Sequence, residues 1–153
     1  MVFEYRKIAL KPTAQIKLLP SEEQRETLLA TLERANQACG WISAQAWDDG
    51  TFSQYGIRKI VYYKARERFE LSAQMTVQAI AKVADAYRPN PDTRNSFSIR
   101  GGFPYDSRVL TYYFDNGEVS IWTLGGRERI PITMGERQRR LVESQQGERD
   151  VIS

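Results

Sequence analysis

The stretch RVLTYYFDNGEVSIWTLGGRERIPI, residues 108–132, decides the fold class of this chain. Apolar and polar residues alternate along it, which is typical of strands with one buried face. Two turn sequences interrupt the alternation, Asn116-Gly117 and Gly125-Gly126, and each fits a two-residue hairpin loop. The sequence therefore predicts an antiparallel meander of three strands. The expected register places Phe114 opposite Val119, Tyr112 opposite Ile121, Leu110 opposite Thr123, Ile132 opposite Val119 and Ile130 opposite Ile121.

This register gives the predicted meander two different faces. One face is almost wholly apolar. The reverse face carries Thr111, Trp122 and Arg129 side by side, and Arg129 over the indole would contribute about 0.5–1 kcal/mol. Such a face suits a groove that binds a nucleic-acid backbone, and a second layer of the same protein would cover it equally well.

Upstream of the meander, the sequence predicts a strand followed by a long helix. Ala14, Ile16 and Leu18 alternate with polar residues, and we expect this strand to join the meander. Ser21 and Gln24 have the spacing of a capping box, so a helix is expected to begin there. One buried stripe runs along this helix: Leu28, Leu32, Ala35, Cys39, Ile42 and Ala46.

A second helix is predicted over YGIRKIVYYKARERF, residues 55–69. Its buried positions are Ile57, Ile60, Val61 and Ala65. On the other side the spacing i, i+3, i+4, i+7 brings together Lys59, Tyr62, Tyr63 and Arg66. Planar rings with flanking cations stack on bases and hold phosphates, whereas tyrosines beside a core stripe also serve as half-buried packing. The pattern alone leaves both interpretations open.

A third helix, LSAQMTVQAIAKVADAYR from Leu71 to Arg88, is expected to begin at a Ser72 cap. Its core stripe is Val77, Ile80, Val83, Ala84 and Tyr87. The opposite stripe carries Gln74, Gln78 and Lys82, side chains that a reader of nucleic acid would use. A solvated face with few acids explains the same stripe.

The remainder of the chain contains a loop and a final helix. RPNPDTRN, from Arg88, has two prolines and no periodicity, which predicts a loop. GERQRRLVESQQG, residues 135–147, predicts a helix that clusters Arg137, Arg139 and Arg140 as a nucleic-acid contact or as a solvated basic end. The tail GERDVIS resembles the start of another strand. Helices segregated from an antiparallel sheet define an α+β fold.

Composition excludes several classes of function. The chain has 22 basic and 19 acidic residues, no histidine and one cysteine, Cys39, so it can build neither a disulfide nor a Cys/His zinc site. The acids have local roles at helix starts and turns, and no nucleotide-binding glycine motif is present. We therefore expect no catalytic residue, no metal and no cofactor in this chain. Without a hydrophobic span or signal peptide, it is expected in the cytoplasm and away from membranes.

Four segments together resemble the N-terminal part of the TnpB family, the OrfB-type RNA-guided DNA nucleases of insertion sequences, which are related to type V CRISPR effectors. The segments are LPSEEQRETLLATLERANQACGWIS, YYKARERFELSAQMTVQAIAKVADAY, FPYDSRVLTYYFDNGEVSIWTLGGRERIPI and GERQRRLVESQQGERD. The resemblance implies an OB-like wedge barrel, residues 1–20 and 89–153, with a helical recognition insertion at residues 21–88. The family's RuvC nuclease and zinc parts would follow, separate or missing here, so the chain is not expected to be an enzyme by itself.

The resemblance also implies partners. In that family the wedge and recognition domains grip a guide RNA and read a short motif in double-stranded DNA next to the target. By position, Gln74, Gln78 and Lys82 become candidate contacts, with Lys59 and Tyr62 nearby. Two other hypotheses remain: a protein-interaction or dimerisation domain without a nucleic-acid role, and an enzyme that uses Asp106 or Asp115.

Overall fold

A computed structural model describes residues 2–6, 13–144 and 149–152 of the 153-residue chain. Its helices are α1 (Glu22–Asp49), α2 (Gln54–Phe69), α3 (Ala73–Tyr87) and α4 (Glu136–Ser144). Its strands are β1 (Val2–Arg6), β2 (Thr13–Leu18), β3 (Phe103–Tyr105), β4 (Leu110–Tyr113), β5 (Glu118–Thr123), β6 (Gly126–Thr133) and β7 (Arg149–Ile152). The predicted α+β class is confirmed.

The strands form one sheet in the order β3-β7-β1-β2-β6-β5-β4. The pairings of β1 with β2 and β7, of β2 with β6, and of β5 with β4 and β6 are antiparallel. Within the described residues the sheet is open, because its edge strands β3 and β4 are not hydrogen-bonded to each other. A closed barrel needs that last pairing, so barrel closure is not part of the observed fold.

The chain divides into two compact units. The strand-rich unit contains Met1–Ala30 and Pro104–Ser153, and the helical unit contains Thr31–Phe103. α1 therefore begins in one unit and ends in the other. The assignment of a wedge domain at residues 1–20 and 89–153 and a recognition domain at residues 21–88 stays a prediction.

The start of α1 is fixed by the predicted capping box. The Gln24 backbone N–H donates to Ser21 Oγ at 3.2 Å, and the Ser21 N–H donates to Gln24 Oε1 at 3.0 Å. Two otherwise unpaired N–H groups are thereby satisfied. The predicted core stripe is confirmed, since all six of its side chains, Leu28, Leu32, Ala35, Cys39, Ile42 and Ala46, are buried.

Serine caps also begin α2 and α3. Ser53 Oγ accepts from the Gly56 N–H at 3.0 Å, and Ser72 Oγ accepts from the Met75 N–H at 3.2 Å, as predicted for Ser72. Two predicted core residues, Ile60 and Val77, are only half-buried. The core side of α3 instead includes Met75, Thr76 and Ala79. The apolar period gave the correct face, and the observed core stripe is centred slightly away from Val77.

The predicted hairpin registers are wrong by two residues. A short 3₁₀ turn, Phe114–Asn116, lengthens the first loop, and the second loop is Leu124-Gly125. The observed pairs include Leu110 with Ile121, Tyr112 with Val119, Val119 with Ile130, Ser120 with Thr111 and Arg129, and Trp122 with Arg127. Because side chains alternate with period two, a two-residue shift keeps each side chain on its face. The apolar face is therefore confirmed although its pairs are not.

Both ends of the described chain extend the sheet. The predicted strand after residue 147 is present as β7, and β2 joins the meander through Lys17–Thr133 and Leu18–Ile132. β1 and β3 were not predicted. Residues 145–148, where the predicted last helix ends, lie outside the described residues. No helix in the described part of the chain combines the length and apolarity needed to cross a bilayer.

Candidate nucleic-acid interface

The exposed face of α2 is the most cationic and aromatic helical surface in the described residues. Ile57, Val61 and Ala65 are buried at the i, i+4, i+8 spacing, which fixes the rotation of the helix and turns the opposite face outward. The exposed positions of the helix include two tyrosines and five basic residues: Tyr55, Tyr63, Arg58, Lys59, Lys64, Arg66 and Arg68. We call this set the α2 face.

The rings of the α2 face and of the adjacent Tyr62 lie beside cations. The Lys59 ammonium is 4.7 Å from the ring centroid of Tyr55, and the Arg58 guanidinium is 5.1 Å from that of Tyr62. Tyr62 and Tyr63 meet edge to face at 5.0 Å. The side chains of Tyr55 and Tyr63 are 71% and 81% exposed, so core packing does not account for either ring.

Charge on the α2 face is concentrated rather than balanced. α2 holds five of the chain's 22 basic residues and one of its 19 acidic residues, Glu67. The rest of the chain therefore has 17 basic and 18 acidic residues, and the whole positive excess resides in this helix. Within the described residues, the five cations make no ion pair, although Arg68 lies over the Trp41 and Phe69 rings. Unpaired cations attract phosphate groups.

The stripe of α3 that carries Gln74, Gln78 and Lys82, here called the α3 row, is less exposed than its sequence pattern predicted. All three side chains are half-buried, and each of them already has a polar or electrostatic partner within the chain. Their role as nucleic-acid contacts stays a prediction.

Lys82 has the most fully described partners of that row. Its ammonium donates to Asn36 Oδ1 at 2.7 Å and to the Gly102 carbonyl at 2.6 Å. The rings of Phe97 and Phe103 lie 5.4 and 5.8 Å from the ammonium. The cation therefore ties α1 to the loop between α3 and β3.

The same loop is held by further bonds to α1. The Asn36 amide donates to the carbonyls of Ile99 and Gly101 at 3.2 and 2.8 Å. Arg100 pairs with Glu33 at 3.0 Å. Because Asn36 is buried, its two amide bonds satisfy a group that would otherwise be costly to bury. Residues 99–102, which follow the predicted proline-rich loop, are thus held by side chains of α1 and α3.

On the reverse face of the meander, Arg129 and Trp122 do not meet. The predicted contact is wrong because the shifted register places Arg127 opposite Trp122. Arg129 instead lies 3.9 Å from the centroid of the Tyr113 ring and 3.5 Å from the Glu118 carboxylate. An arginine already held by a ring and an acid retains less attraction for phosphate than the cations of the α2 face.

The arginines of α4 lie on an exposed helix end. Arg137, Arg139 and Arg140 are exposed, and Arg140 pairs with Glu136 at 2.8 Å within the helix. The structure brings them together as the sequence predicted. Their role as nucleic-acid contacts stays a prediction, as does that of Trp122 and Arg129.

The two carboxylates that the enzyme hypothesis names, Asp106 and Asp115, lie in different turns. Asp106 accepts from the Arg108 backbone N–H at 2.9 Å, and Asp115 lies in the 3₁₀ turn. Residues 2–6, 13–144 and 149–152 contain no cluster of three or more acidic or cysteine side chains placed to hold a metal ion.

Sequence reasoning missed part of the α2 face. It selected Lys59, Tyr62, Tyr63 and Arg66 and passed over Tyr55, Arg58, Lys64 and Arg68. The available signals were the i, i+4 spacing of Tyr55 with Lys59 and of Arg58 with Tyr62, together with the net charge of this single helix.

Cys39 lies deep in the helical unit, and its ionisation is linked to folding. Burial raises the pKa of its thiol from an ordinary 9.0 to about 12, an effect that the positive charge of Lys82 partly opposes. The native state thus favours the neutral thiol. This stabilisation is fully present below about pH 9 and is lost as the pH rises toward about 12, because only the unfolded thiol ionises in that range.

We expect this linkage to be measurable by urea denaturation. Between about pH 8 and pH 10 the wild-type chain should lose on the order of 1 kcal/mol more unfolding free energy than Cys39→Ala, which has no thiol. Each protein is compared with itself across pH, so the cavity made by alanine cancels. Identical pH dependence in the two proteins would show that the thiol ionises equally in both states.

Comparison with known proteins gives no family assignment: no protein-family model matches the chain, and no curated protein matches it.

Proposed function

We propose that this chain is a nucleic-acid-binding module, and that the α2 face is its principal contact. The observation that carries the proposal is the concentration on one helix of five exposed cations, which make no ion pair in the part of the chain that the structure describes, and of two tyrosines exposed by 71% and 81%. Cations supply salt-dependent attraction to phosphates, and exposed rings supply surfaces on which bases stack.

The resemblance extends this proposal to a particular class. We propose the N-terminal wedge and recognition part of a TnpB-like RNA-guided DNA nuclease, which acts in the cytoplasm, grips a guide RNA and reads a short motif in target DNA. This proposal includes an OB-like wedge barrel formed by residues 1–20 and 89–153. It also includes a RuvC nuclease part outside these 153 residues. An α+β chain in which a helical unit interrupts a strand-rich unit is compatible with it.

Within this proposal the α3 row has a smaller part than its sequence pattern predicted. Lys82 is engaged with Asn36 and Gly102, so it supports the α3–β3 loop in the free chain. Gln74 and Gln78 remain candidates for contacts with base edges, which would require them to exchange their present partners.

The proposal is tested by binding measurements across salt concentration. We expect the purified chain to bind structured RNA and duplex DNA, with an affinity that falls at least roughly tenfold between about 50 and 200 mM salt. Fluorescence anisotropy with labelled nucleic acid provides the measurement. The absence of binding at about 50 mM salt, or binding that is independent of salt, would rule the proposal out.

Light scattering distinguishes the alternative of a dimerisation domain. If a nucleic-acid module is purified with bound nucleic acid, its measured mass should fall on nuclease treatment. The remaining mass should be that of a single chain. A self-associating domain keeps its larger mass after the same treatment, because its contacts are with polypeptide.

A further inference from the structure

The two exposed tyrosines of the α2 face specify more than attraction to phosphate. Tyr55 and Tyr63 are eight residues apart on one helix, which separates them by about 12 Å along its axis. A stacked strand advances about 3.4 Å per nucleotide, so that distance corresponds to three or four nucleotides. Two rings at this spacing can each receive a base from one continuous strand.

Exposed rings contribute little to the binding of duplex nucleic acid. In a duplex the faces of the bases are covered by neighbouring base pairs, and cations on the protein contact the phosphates on the outside. An unpaired strand offers both bare base faces and phosphates. The α2 face provides a partner for each: rings at Tyr55 and Tyr63, and the cations Lys59 and Arg66 exposed on the same side of the helix.

The cations beside the rings suit the same ligand. Lys59 lies over one face of the Tyr55 ring, 4.7 Å from its centroid, so the other face is the one on which a base would stack. Tyr63 and Tyr62 meet edge to face in the described ring contacts, and the side chain of Tyr63 is 81% exposed. Neither ring has to move before a base can stack.

We infer that the α2 face binds an unpaired single strand of nucleic acid, with bases stacked on Tyr55 and Tyr63 and phosphates held by the cations between them. This inference rests on the proposed function and specifies its ligand. It assigns base stacking to Tyr55 and Tyr63, whereas the cations bind phosphates.

The test compares removal of the rings with removal of their hydroxyl groups. In the full chain, Tyr55→Leu with Tyr63→Leu keeps apolar bulk but removes both stacking surfaces, whereas Tyr55→Phe with Tyr63→Phe keeps them. We expect the leucine pair to bind a labelled single strand of about 12 nucleotides at least roughly tenfold more weakly, and the phenylalanine pair to bind within about twofold of wild type. Arms with RNA, with DNA and with a duplex of the same sequence are measured in parallel.

Salt dependence provides a second readout. Stacking releases no counterions, so the leucine pair should keep the wild-type slope of affinity against salt concentration and its affinity for duplex. Circular dichroism checks that both variants retain the helix content of the wild type.

Three results have separate meanings. The inference is overturned if the leucine pair binds the single strand as tightly as the wild-type chain does, or if it loses equal affinity for single strand and duplex. The proposed function still stands in that case, provided that the wild-type chain binds either nucleic acid in a salt-dependent way. Loss in the phenylalanine pair as large as in the leucine pair overturns stacking in favour of hydroxyl contacts. Failure of the wild-type chain to bind any of the probes at about 50 mM salt overturns both the inference and the proposed function.

Discussion

Replacing Lys59, Lys64 and Arg66 by alanine is expected to lower the affinity of the chain for single-stranded RNA roughly a hundredfold at about 50 mM salt. The three side chains are exposed and make no ion pair within the described residues, so their charge is available to phosphates. Removing three phosphate contacts should also reduce the slope of log affinity against log salt by about 2, at about 0.7 for each contact with a single strand.

A matched control separates local contacts from net charge. Arg88→Ala with Arg94→Ala removes two exposed cations from the end of α3 and the loop after it. The variant Lys64→Ala with Arg66→Ala removes the same charge from α2. We expect at least a fivefold larger loss for the α2 pair, since direct contacts act at short range and distant charges are screened. Equal losses would show that net charge, and no particular surface, drives binding.

Replacing Lys82 by methionine is expected to lower the unfolding free energy by about 2–3 kcal/mol. Methionine keeps most of the aliphatic stem but leaves Asn36 Oδ1 and the Gly102 carbonyl without their charged donor. It also removes the cation near Phe97 and Phe103. Urea denaturation followed by circular dichroism measures the change.

Arg88→Met is the control for this prediction. Arg88 pairs with Asp85 at 3.0 Å, but both side chains are mostly exposed, so its removal should cost less than about 0.5 kcal/mol. A Lys82→Met protein that is as stable as wild type, yet binds duplex DNA more weakly, would contradict the structural role. That result would favour the role in DNA contact predicted from the α3 stripe.

The helices show how far local pattern carries a prediction. The Ser21–Gln24 capping box and the stripe from Leu28 to Ala46 determine where α1 begins and which side it buries, because caps and helical period depend only on neighbouring residues. The pattern is less informative about how deeply each residue of a stripe is buried. Ile60 of α2 and Val77 of α3 were predicted to be core residues and are only half-buried. Their degree of burial depends on which neighbouring helix covers them.

The hairpins show where local pattern is insufficient. Asn116-Gly117 correctly indicated a turn, but a 3₁₀ turn over Phe114–Asn116 set its length. The resulting shift moved Arg129 away from Trp122 and toward Tyr113. A pair across strands depends on register, and register depends on the conformation of the whole loop.

The candidate interface was predicted only in part for the same reason. The row Lys59, Tyr62, Tyr63 and Arg66 follows from helical period alone, and all of it is exposed except Tyr62, which is half-buried. Lys82 follows the same period on α3, yet its ammonium is engaged by Asn36 of α1 and by Gly102 of a distant loop. Sequence spacing along one helix contains no information about such partners.

The sequence by itself determined the α+β class, the helix starts, the apolar faces and the basic, aromatic character of α2, because each depends on residues within a few turns of one another. Tertiary structure alone decided the strand order, the hairpin registers, and which cations remain without ion pairs. The physical reason is that a charge is neutralised, and a ring covered, by groups far away in the chain, and only folding brings those groups within contact distance.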